Sequence, residues 1–129
     1  MKTNSDCVFC KIVKGEIPCH KVYEDENFLG FLDINPAAPG HSQLIPKKHY
    51  HWVWDVPADR KVSPNIAEYM EAAHQIANAQ RKAFGTEMIF SRIIGTEVPH
   101  AHIWLIPHKH TQNEKLKEKQ LAELIRANF

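Results

Sequence analysis

Hydrophobic and polar residues alternate with different periods along the chain, and these periods separate predicted strands from predicted helices. Short apolar runs bounded by polar, proline or glycine residues predict strands over 21–24, 28–33 and 41–46. Two further strands are predicted over 87–94 and 100–106, joined by the short connection GTEVP. Because the strands are linked mainly by hairpin turns, we expect an antiparallel α+β sheet.

Helical spacing is clearest over residues 63–84, where apolar residues recur three and four positions apart and a glycine follows as the stop signal. Ser63 is the predicted N-cap, with Pro64 at the first helical position. The mostly charged segment 113–129 carries a thin apolar stripe and predicts a second helix. Residues 7–16 predict a short helical turn.

Composition adds limits to this picture. The chain has 129 residues, which suits a single domain over 1–129 with its core in 7–110 and a helical tail in 111–129. A formal net charge of +1 argues against nucleic acid as a partner. No apolar run approaches the roughly 18 residues of a membrane helix, and the first residues are polar rather than signal-like, so we expect a cytoplasmic location. Three cysteines, an odd number, argue against a disulfide framework.

Nine histidines are present, and two of them stand in the segment VPHAHIWLIP. In a strand, side chains alternate between faces, so His100, His102 and Trp104 would share one face at intervals of about 6.6 Å. A half-solvated strand that holds two histidines by chance is the simpler interpretation. The glycine turn before the strand can aim backbone N–H groups at an anion, and this favours a functional interpretation of the two histidines.

Cys7 and Cys10 have the C-x-x-C spacing of a metal knuckle, in which two thiolates from one turn reach the same ion. Two unpaired buried thiols and a redox pair are the alternatives. No apolar strand precedes the motif, which argues against the redox pair.

Three segments together resemble the histidine triad (HIT) nucleotide hydrolases and transferases: VPHAHIWLIP, FLDINPAAPGHSQLIPKKH and, for the zinc-carrying bacterial members, CVFCKIVKGEIP. They occur in the expected order and cover 7–107. The resemblance implies a HIT-like fold, which is a five-stranded antiparallel sheet with two main helices, paired as a homodimer.

The resemblance also implies the chemistry. His102 matches the histidine that attacks the α-phosphorus of a nucleotide, forming a nucleotidyl-histidine intermediate and releasing a nucleoside monophosphate, with AMP the expected product. This step needs a neutral imidazole with one lone pair available. His100 matches the residue whose carbonyl orients that ring, and His41 matches a histidine that supports the catalytic cluster.

For substrate binding, Asp33 and Ile34 match the pair that contacts the ribose, where a carboxylate accepts hydrogen bonds from both hydroxyls. Phe9, Ile12 and Phe31 match apolar residues that sandwich the base. Each of these three is equally plausible as a core residue.

For the metal, the resemblance implies that His49 and His100 complete a zinc site with Cys7 and Cys10. A closed Cys2His2 set would be structural. It would also fix the backbone that orients the nucleophile. His51 is a possible substitute ligand.

The sequence departs from the family pattern at and before the third signature position. Trp104 stands where family enzymes commonly have a histidine, and indole cannot act as a general acid near neutral pH. In the short connection upstream, Thr96 replaces a usual glutamine, Glu97 and Val98 come near the phosphate position, and Ser91 is the nearest candidate for a missing asparagine. A carboxylate beside phosphate would be repulsive.

Three functions therefore remain open. The first is a nucleotide hydrolase or phosphoramidase that acts through His102, and it is favoured because the nucleophile and its supports are present. The second is a nucleotide-binding protein with little or no catalysis, since Trp104 replaces the acid. The third is a nucleotidyl transferase, in which an acceptor other than water takes the nucleotide.

Overall fold

The computed structural model describes residues 6–108 and 115–129. In chain order the helices and strands are α1 Val8–Val13, β1 Lys21–Glu24, β2 Phe28–Leu32, β3 Ser42–Pro46, α2 Ile66–Phe84, β4 Ile89–Ile93, β5 Ile103–Pro107 and α3 Glu118–Arg126. A short 3-10 turn, Val53–Asp55, lies between β3 and α2.

The strands form one five-stranded sheet in the order β1-β2-β3-β5-β4, and every neighbouring pair is antiparallel. The register places Leu32 of β2 opposite Ser42 of β3, and Ser42 opposite Leu105 of β5. The predicted five-stranded antiparallel sheet is confirmed. β1 and β4 are its edges, and β4 carries exposed side chains along its middle.

The two faces of the sheet bury different clusters, because successive side chains of a strand point to opposite sides. On one face, α2 and α3 cover the larger core, in which Ile76 and Ile125 are fully buried and the Tyr69 hydroxyl donates to Leu44 O at 2.8 Å. The other face carries a smaller cluster against α1, made of Cys7, Phe9, Cys10, Leu29, Phe31 and Ile45. This second face holds the residues with candidate chemistry.

The prediction that Ser63 caps the long helix is wrong. Asn65 is the N-cap: its side chain accepts from the Glu68 N–H at 2.9 Å, and the Glu68 carboxylate accepts from the Asn65 N–H at 3.0 Å. A reciprocal box needs an acid three residues after the cap. Ser63 has isoleucine at that distance, and its hydroxyl instead donates to Glu68 at 2.7 Å.

The last predicted strand also begins later than expected. β5 starts at Ile103, so His100 and His102 precede the ladder, and Ala101 N–H donates to Tyr50 O at 2.6 Å. Their side chains still share the α1 face, because the Phe9 ring packs against both imidazoles at 5.8 and 5.3 Å.

The other boundaries move by a few residues. The strand predicted over 87–94 is β4, and the predicted C-terminal helix is α3. Residues 113 and 114 of that predicted helix lie outside the described residues. Within the described ranges, no helix is both long and apolar enough to cross a bilayer.

Candidate functional site: a four-ligand cluster beside a cavity

Two thiols and two imidazoles converge at the N-terminus of α1. The Cys7 Sγ lies 3.2 Å from His100 Nδ1, and the Cys10 Sγ lies 3.4 Å from the same nitrogen. His49 Nδ1 lies 3.2 Å from both Cys10 Sγ and His100 Nδ1. All four potential ligand atoms are within 4.8 Å of one another.

Local structure brings these side chains together from three parts of the chain. Cys7 is the N-cap of α1, and its Sγ accepts a hydrogen bond from Cys10 N–H at 3.4 Å, so one turn places both sulfurs side by side. His49 follows β3, and His100 precedes β5, the neighbouring strand. The buried residues Cys7, Cys10 and His100 exclude solvent from most of the cluster.

The tautomer of His100 suits metal binding. Its Nε2 lies 2.8 Å from Pro46 O, a carbonyl that can only accept, so Nε2 carries the proton and donates. The Nδ1 lone pair of the neutral ring therefore faces the cluster. Burial is the main reason that the pKa of His100 is lowered to about 4, which favours this neutral form.

The spacing of the four atoms suits a tetrahedral ion. Zinc bonds of about 2.3 Å to sulfur and about 2.05 Å to nitrogen imply N···N distances near about 3.3 Å and S···N distances near about 3.6 Å. The observed N···N distance is 3.2 Å, and the S···N distances are 3.2 and 3.4 Å. The donor set and its geometry therefore fit a closed structural zinc site. His51 is not part of it, since its ring stacks on Trp52 and its Nε2 lies 3.3 Å from Gly95 O.

A cavity of about 440 Å³ opens beside this cluster on the same face of the sheet. Nine of the residues singled out as substrate contacts or nucleophile line it: Phe9, Ile12, Phe31, Asp33, Ile34, Glu97, Val98, His102 and Trp104. Its wall is mostly apolar, with a few polar groups, as in small-molecule sites generally.

His102 lies at the wall of this cavity and is held by one hydrogen bond. Its Nδ1 is 2.7 Å from His100 O, which can only accept, so Nδ1 donates and the neutral ring keeps its lone pair on Nε2. His100 thus contributes its side chain to the cluster and its carbonyl to the orientation of His102. His102 is only 6% exposed, and that exposure is toward a cavity that it lines.

Asp33 is held from three sides. Its Oδ1 accepts from Asn35 N–H at 2.8 Å, and its Oδ2 accepts from the Gln43 amide at 3.0 Å. His41 Nε2 lies 3.5 Å from the same Oδ2. The carboxylate is therefore oriented before a ligand arrives. Ile34 beside it is 82% exposed and forms the rim of the cavity.

His41 lies behind the cavity and not in its wall. Its Nδ1 accepts from Ala37 N–H at 3.0 Å, so its proton is on Nε2, the nitrogen nearer Asp33. Burial lowers the pKa of His41, and the nearby Asp33 carboxylate only partly opposes this effect. The ring also packs edge-on against Trp104 at 5.3 Å. His41 is therefore a support for Asp33 and for the indole.

Trp104 forms a wall of the cavity at the His102 end, where the two ring centroids are 6.4 Å apart. The indole N–H is buried and has no hydrogen-bond acceptor among the residues that the structure describes. Arg92, opposite Trp104 in β4, places its guanidinium 5.7 Å from the indole centroid. The indole therefore presents apolar surface to the cavity and no proton donor.

Two of the expected substrate contacts lie away from the cavity wall, and nine cavity residues were missed, among them three polar ones that matter below. Thr96 and Ser91 are exposed and do not line the cavity. Gln43, His20 and Glu118 do line it. Gln43 could have been found from the alternation of β3, because it shares a face with buried Ile45 and is the polar residue there. No pattern in the sequence pairs His20 with Glu118.

The chain matches the HIT domain model over residues 14–111. It is 37% identical over 115 residues to an uncharacterized HIT-like protein of Methanocaldococcus jannaschii, covering 86% of this chain and 85% of that one. It is 40% identical to the adenylylsulfatase HINT3 of Arabidopsis thaliana, covering 81% of this chain but 53% of the relative. Identity to the adenosine 5′-monophosphoramidase HNT1 of Saccharomyces cerevisiae is 36%, over 80% of this chain and 63% of the relative.

Solved structures agree with these matches. A Hit-like protein involved in cell-cycle regulation from Bartonella henselae superposes with a TM-score of 0.81 at 30% identity, covering 98% of both chains. A zinc-bound histidine triad family protein from Mycobacterium smegmatis superposes with a TM-score of 0.78 at 33% identity, covering 95% of this chain and 92% of that one. The expected resemblance is confirmed: this chain belongs to the HIT domain family.

Proposed function

We propose that this protein is a nucleotide hydrolase or phosphoramidase that cleaves at the α-phosphate of a purine nucleotide through a nucleotidyl-histidine intermediate on His102. The observation that carries the proposal is the hydrogen bond from His102 Nδ1 to His100 O, which places the lone pair of the neutral ring on Nε2 at the wall of the cavity. Relatives named as an adenylylsulfatase and an adenosine 5′-monophosphoramidase support the reaction class and an adenine base.

In the first step, the Nε2 lone pair of His102 forms an N–P bond while the bond from phosphorus to the leaving group breaks. The leaving group departs with the bonding electrons, and an amine then takes a proton from water. In the second step, water forms a P–O bond and loses a proton to solvent, the N–P bond breaks with its electrons returning to His102 Nε2, and the nucleoside monophosphate is released. Splitting one difficult displacement into two is the advantage of covalent catalysis.

The cavity residues position the substrate for this reaction. Asp33, held by Asn35 and Gln43, is oriented to accept hydrogen bonds from the ribose hydroxyls. Phe9 and Phe31, whose rings meet edge to face at 5.6 Å, offer an apolar wall against which the base packs. Glu97 lines the cavity as well and disfavours extra negative charge near it.

The experiment is AMP release from adenosine 5′-monophosphoramidate. We expect His102→Ala to reduce the rate by at least about 10³-fold, since the nucleophile is lost. His74→Ala is the matched control, because His74 is exposed on α2, away from the cavity, and contacts Asn78 of the same helix. Equal rates for wild type and His102→Ala would contradict the proposal.

A nucleotide-binding protein with little catalysis is the second candidate, and the buried N–H of Trp104 favours it because no indole proton is offered to a leaving group. Nucleotidyl transfer to an acceptor other than water uses the same first step. AMP binding without His102-dependent turnover would indicate the binding protein. Turnover that rises with an added acceptor and yields its adenylated product would indicate the transferase.

For the metal, we propose that Cys7, Cys10, His49 and His100 bind one structural zinc ion. When bound, zinc would close the cluster and hold α1 against the sheet. It would also fix the His100 ring, and through its backbone the carbonyl that orients His102. Elemental analysis should find one zinc per chain in wild type and in Cys19→Ser, and none in Cys7→Ser. Metal-free wild type that folds normally would contradict this.

We further propose a cytoplasmic homodimer. Phe90 on the edge strand β4 is 50% exposed. Met88, just before the strand, is also 50% exposed, and Ile94, just after it, is 40% exposed. Exposed apolar edges are sites where a second chain pairs. Light scattering should give twice the chain mass for wild type and the single mass for Phe90→Lys. A monomeric wild type would contradict the homodimer.

A further inference from the structure

The end of the cavity farthest from Trp104 holds a polar pair that the proposed mechanism does not use. His20, from the loop before β1, and Glu118, from the first turn of α3, both line the cavity. His20 Nε2 lies 3.5 Å from Glu118 Oε2, and the two side chains are 45% and 43% exposed. The rest of this end is built mainly of apolar surface from Ile17 and Pro18.

Both residues are positioned by well-packed backbone. His20 O accepts from Leu32 N–H at 3.0 Å, which continues the β1–β2 pairing by one residue. Helix α3 is docked through its buried residues Leu121, Ala122 and Ile125. The Arg126 guanidinium also donates to Lys21 O, next to His20. The backbone that carries Glu118 is therefore held beside the cavity by the helix, and the contact with His20 orients its carboxylate.

The sheet register gives the backbone separation between the strand positions beside the two ends of the cavity. His20 lies beside Leu32, Leu32 is opposite Ser42, and Ser42 is opposite Leu105, the neighbour of Trp104. Three strand spacings separate the ends of this row, which is about 14 Å. Asp33 directly follows β2, and it lines the cavity between the two ends.

The contacts proposed for His102 and Asp33 set the direction of a purine nucleotide in this cavity. With its α-phosphorus at His102 and its ribose at Asp33, its base extends over Phe9 and Phe31 toward the far end. The base edge farthest from the ribose, N1 and C6, then faces the His20–Glu118 pair. In adenine that edge carries the 6-amino group, which is an N–H donor, and a carboxylate is an acceptor.

We propose that Glu118, oriented by His20, accepts a hydrogen bond from the 6-amino group of adenine and is a specificity-determining residue of the site. This rests on the proposed function of the same cavity. A charged acceptor makes a stronger hydrogen bond than a neutral one. A site built to bind an N–H group also discriminates against an analogue that lacks it.

The test compares adenosine 5′-monophosphoramidate with the phosphoramidate of purine riboside, which lacks only the 6-amino group. We expect the kcat/KM of wild type to be about tenfold higher for the adenosine substrate. This is the low end of the selectivity expected from a charged hydrogen bond, because His20 and Glu118 are each nearly half exposed. Glu118→Ala should bring the ratio close to one, with the larger loss in kcat/KM on the adenosine substrate. Glu123→Ala, on an exposed position of the same helix, is the control and should keep the wild-type ratio.

The outcomes separate this proposal from the proposed function. A wild-type ratio near one, or equal losses on both substrates in Glu118→Ala, would overturn the role of Glu118 while leaving His102-dependent turnover intact. If no substrate is turned over, the proposed function fails, and the same ratio is measured as the Kd values of AMP and purine riboside monophosphate. A tenfold ratio of Kd values that Glu118→Ala removes would still support the proposed role of Glu118.

Discussion

The four-ligand cluster and the cavity lie side by side on one face of the sheet, yet their polar groups are arranged in opposite ways. In the cluster, the ligand atoms of Cys7, Cys10, His49 and His100 converge on a single point. In the cavity, polar groups are spread along a mostly apolar wall, from His102 to Glu118. Convergence suits a closed metal site, whereas separation suits a ligand with several functional groups.

His100 joins the two regions. Its ring belongs to the cluster, and its carbonyl accepts the hydrogen bond from His102. The region that we propose to bind zinc therefore also fixes the tautomer of the proposed nucleophile. Changes in the cluster should affect both stability and turnover, while changes in the cavity should affect turnover or substrate binding with little effect on stability.

The largest expected effect on stability is the loss of a cluster ligand. Cys10→Ser should lower the free energy of unfolding by at least about 3 kcal/mol, because metal binding energy contributes directly to folding. Urea unfolding measures it. Cys19→Ser is the control, since Cys19 lines the cavity and is outside the cluster. Equal stabilities of Cys10→Ser and Cys19→Ser would show that the cluster contributes no metal-binding energy to folding.

Trp104→His should change turnover without a comparable loss of stability. General acid catalysis contributes about 10²–10⁴-fold, so the imidazole should raise the rate on phosphoramidates with basic leaving amines by about 10²-fold. Adenylyl sulfate, whose leaving group needs no proton, should gain little. Steady-state rates on both substrates give the ratio. Equal gains on the two would show that space, and not acid catalysis, limits the wild type.

Gln43→Leu should have a smaller effect that is confined to substrate binding. The Gln43 amide donates to Asp33 Oδ2 at 3.0 Å, and its loss frees the carboxylate that we assign to the ribose. We expect KM to rise by about tenfold with kcat within about twofold, as for a contact made equally in the ground and transition states. A fall in kcat alone would assign Gln43 to the chemistry instead.

The smallest effect concerns pH. Burial lowers the pKa of His41 below its ordinary value of 6.5, so the unfolded chain binds this proton more readily than the folded one. The contribution of His41 to stability is therefore complete above pH 6.5 and is lost as the pH falls below it. The urea midpoint of wild type should drop more between pH 7.5 and 5 than that of His41→Gln. His74→Gln, at an exposed site, should follow wild type.

The parts of this molecule that sequence reasoning predicted correctly are those that depend on local pattern. Short apolar runs and turn signals predicted all five strands, and C-x-x-C spacing indicated that Cys7 and Cys10 lie close together. The cap of α2 was misplaced because Ser63-Pro64 is a common helix start, whereas the actual cap depends on the reciprocal bonds of Asn65 with Glu68. The preference of N-cap positions for certain residue types could not decide between Ser63 and Asn65, because both types are favoured there.

Long-range contacts explain what the sequence left out. His20 and Glu118 are nearly one hundred positions apart and meet because α3 packs on β1. The burial of the Trp104 N–H likewise depends on packing around β5 that no single segment encodes. The family resemblance indicated the His102 end of the cavity. It did not indicate the opposite end, where His20 contacts Glu118.

The most direct test of the account is whether His102 becomes covalently bonded to phosphorus. Wild type mixed with adenosine 5′-monophosphoramidate, quenched within one turnover at alkaline pH and digested should yield the peptide containing His102 with an added adenylyl mass. We expect His102→Ala to yield no such adduct. Turnover with no adduct on His102 at any quench time, or an adduct that persists in His102→Ala, would contradict the central claim.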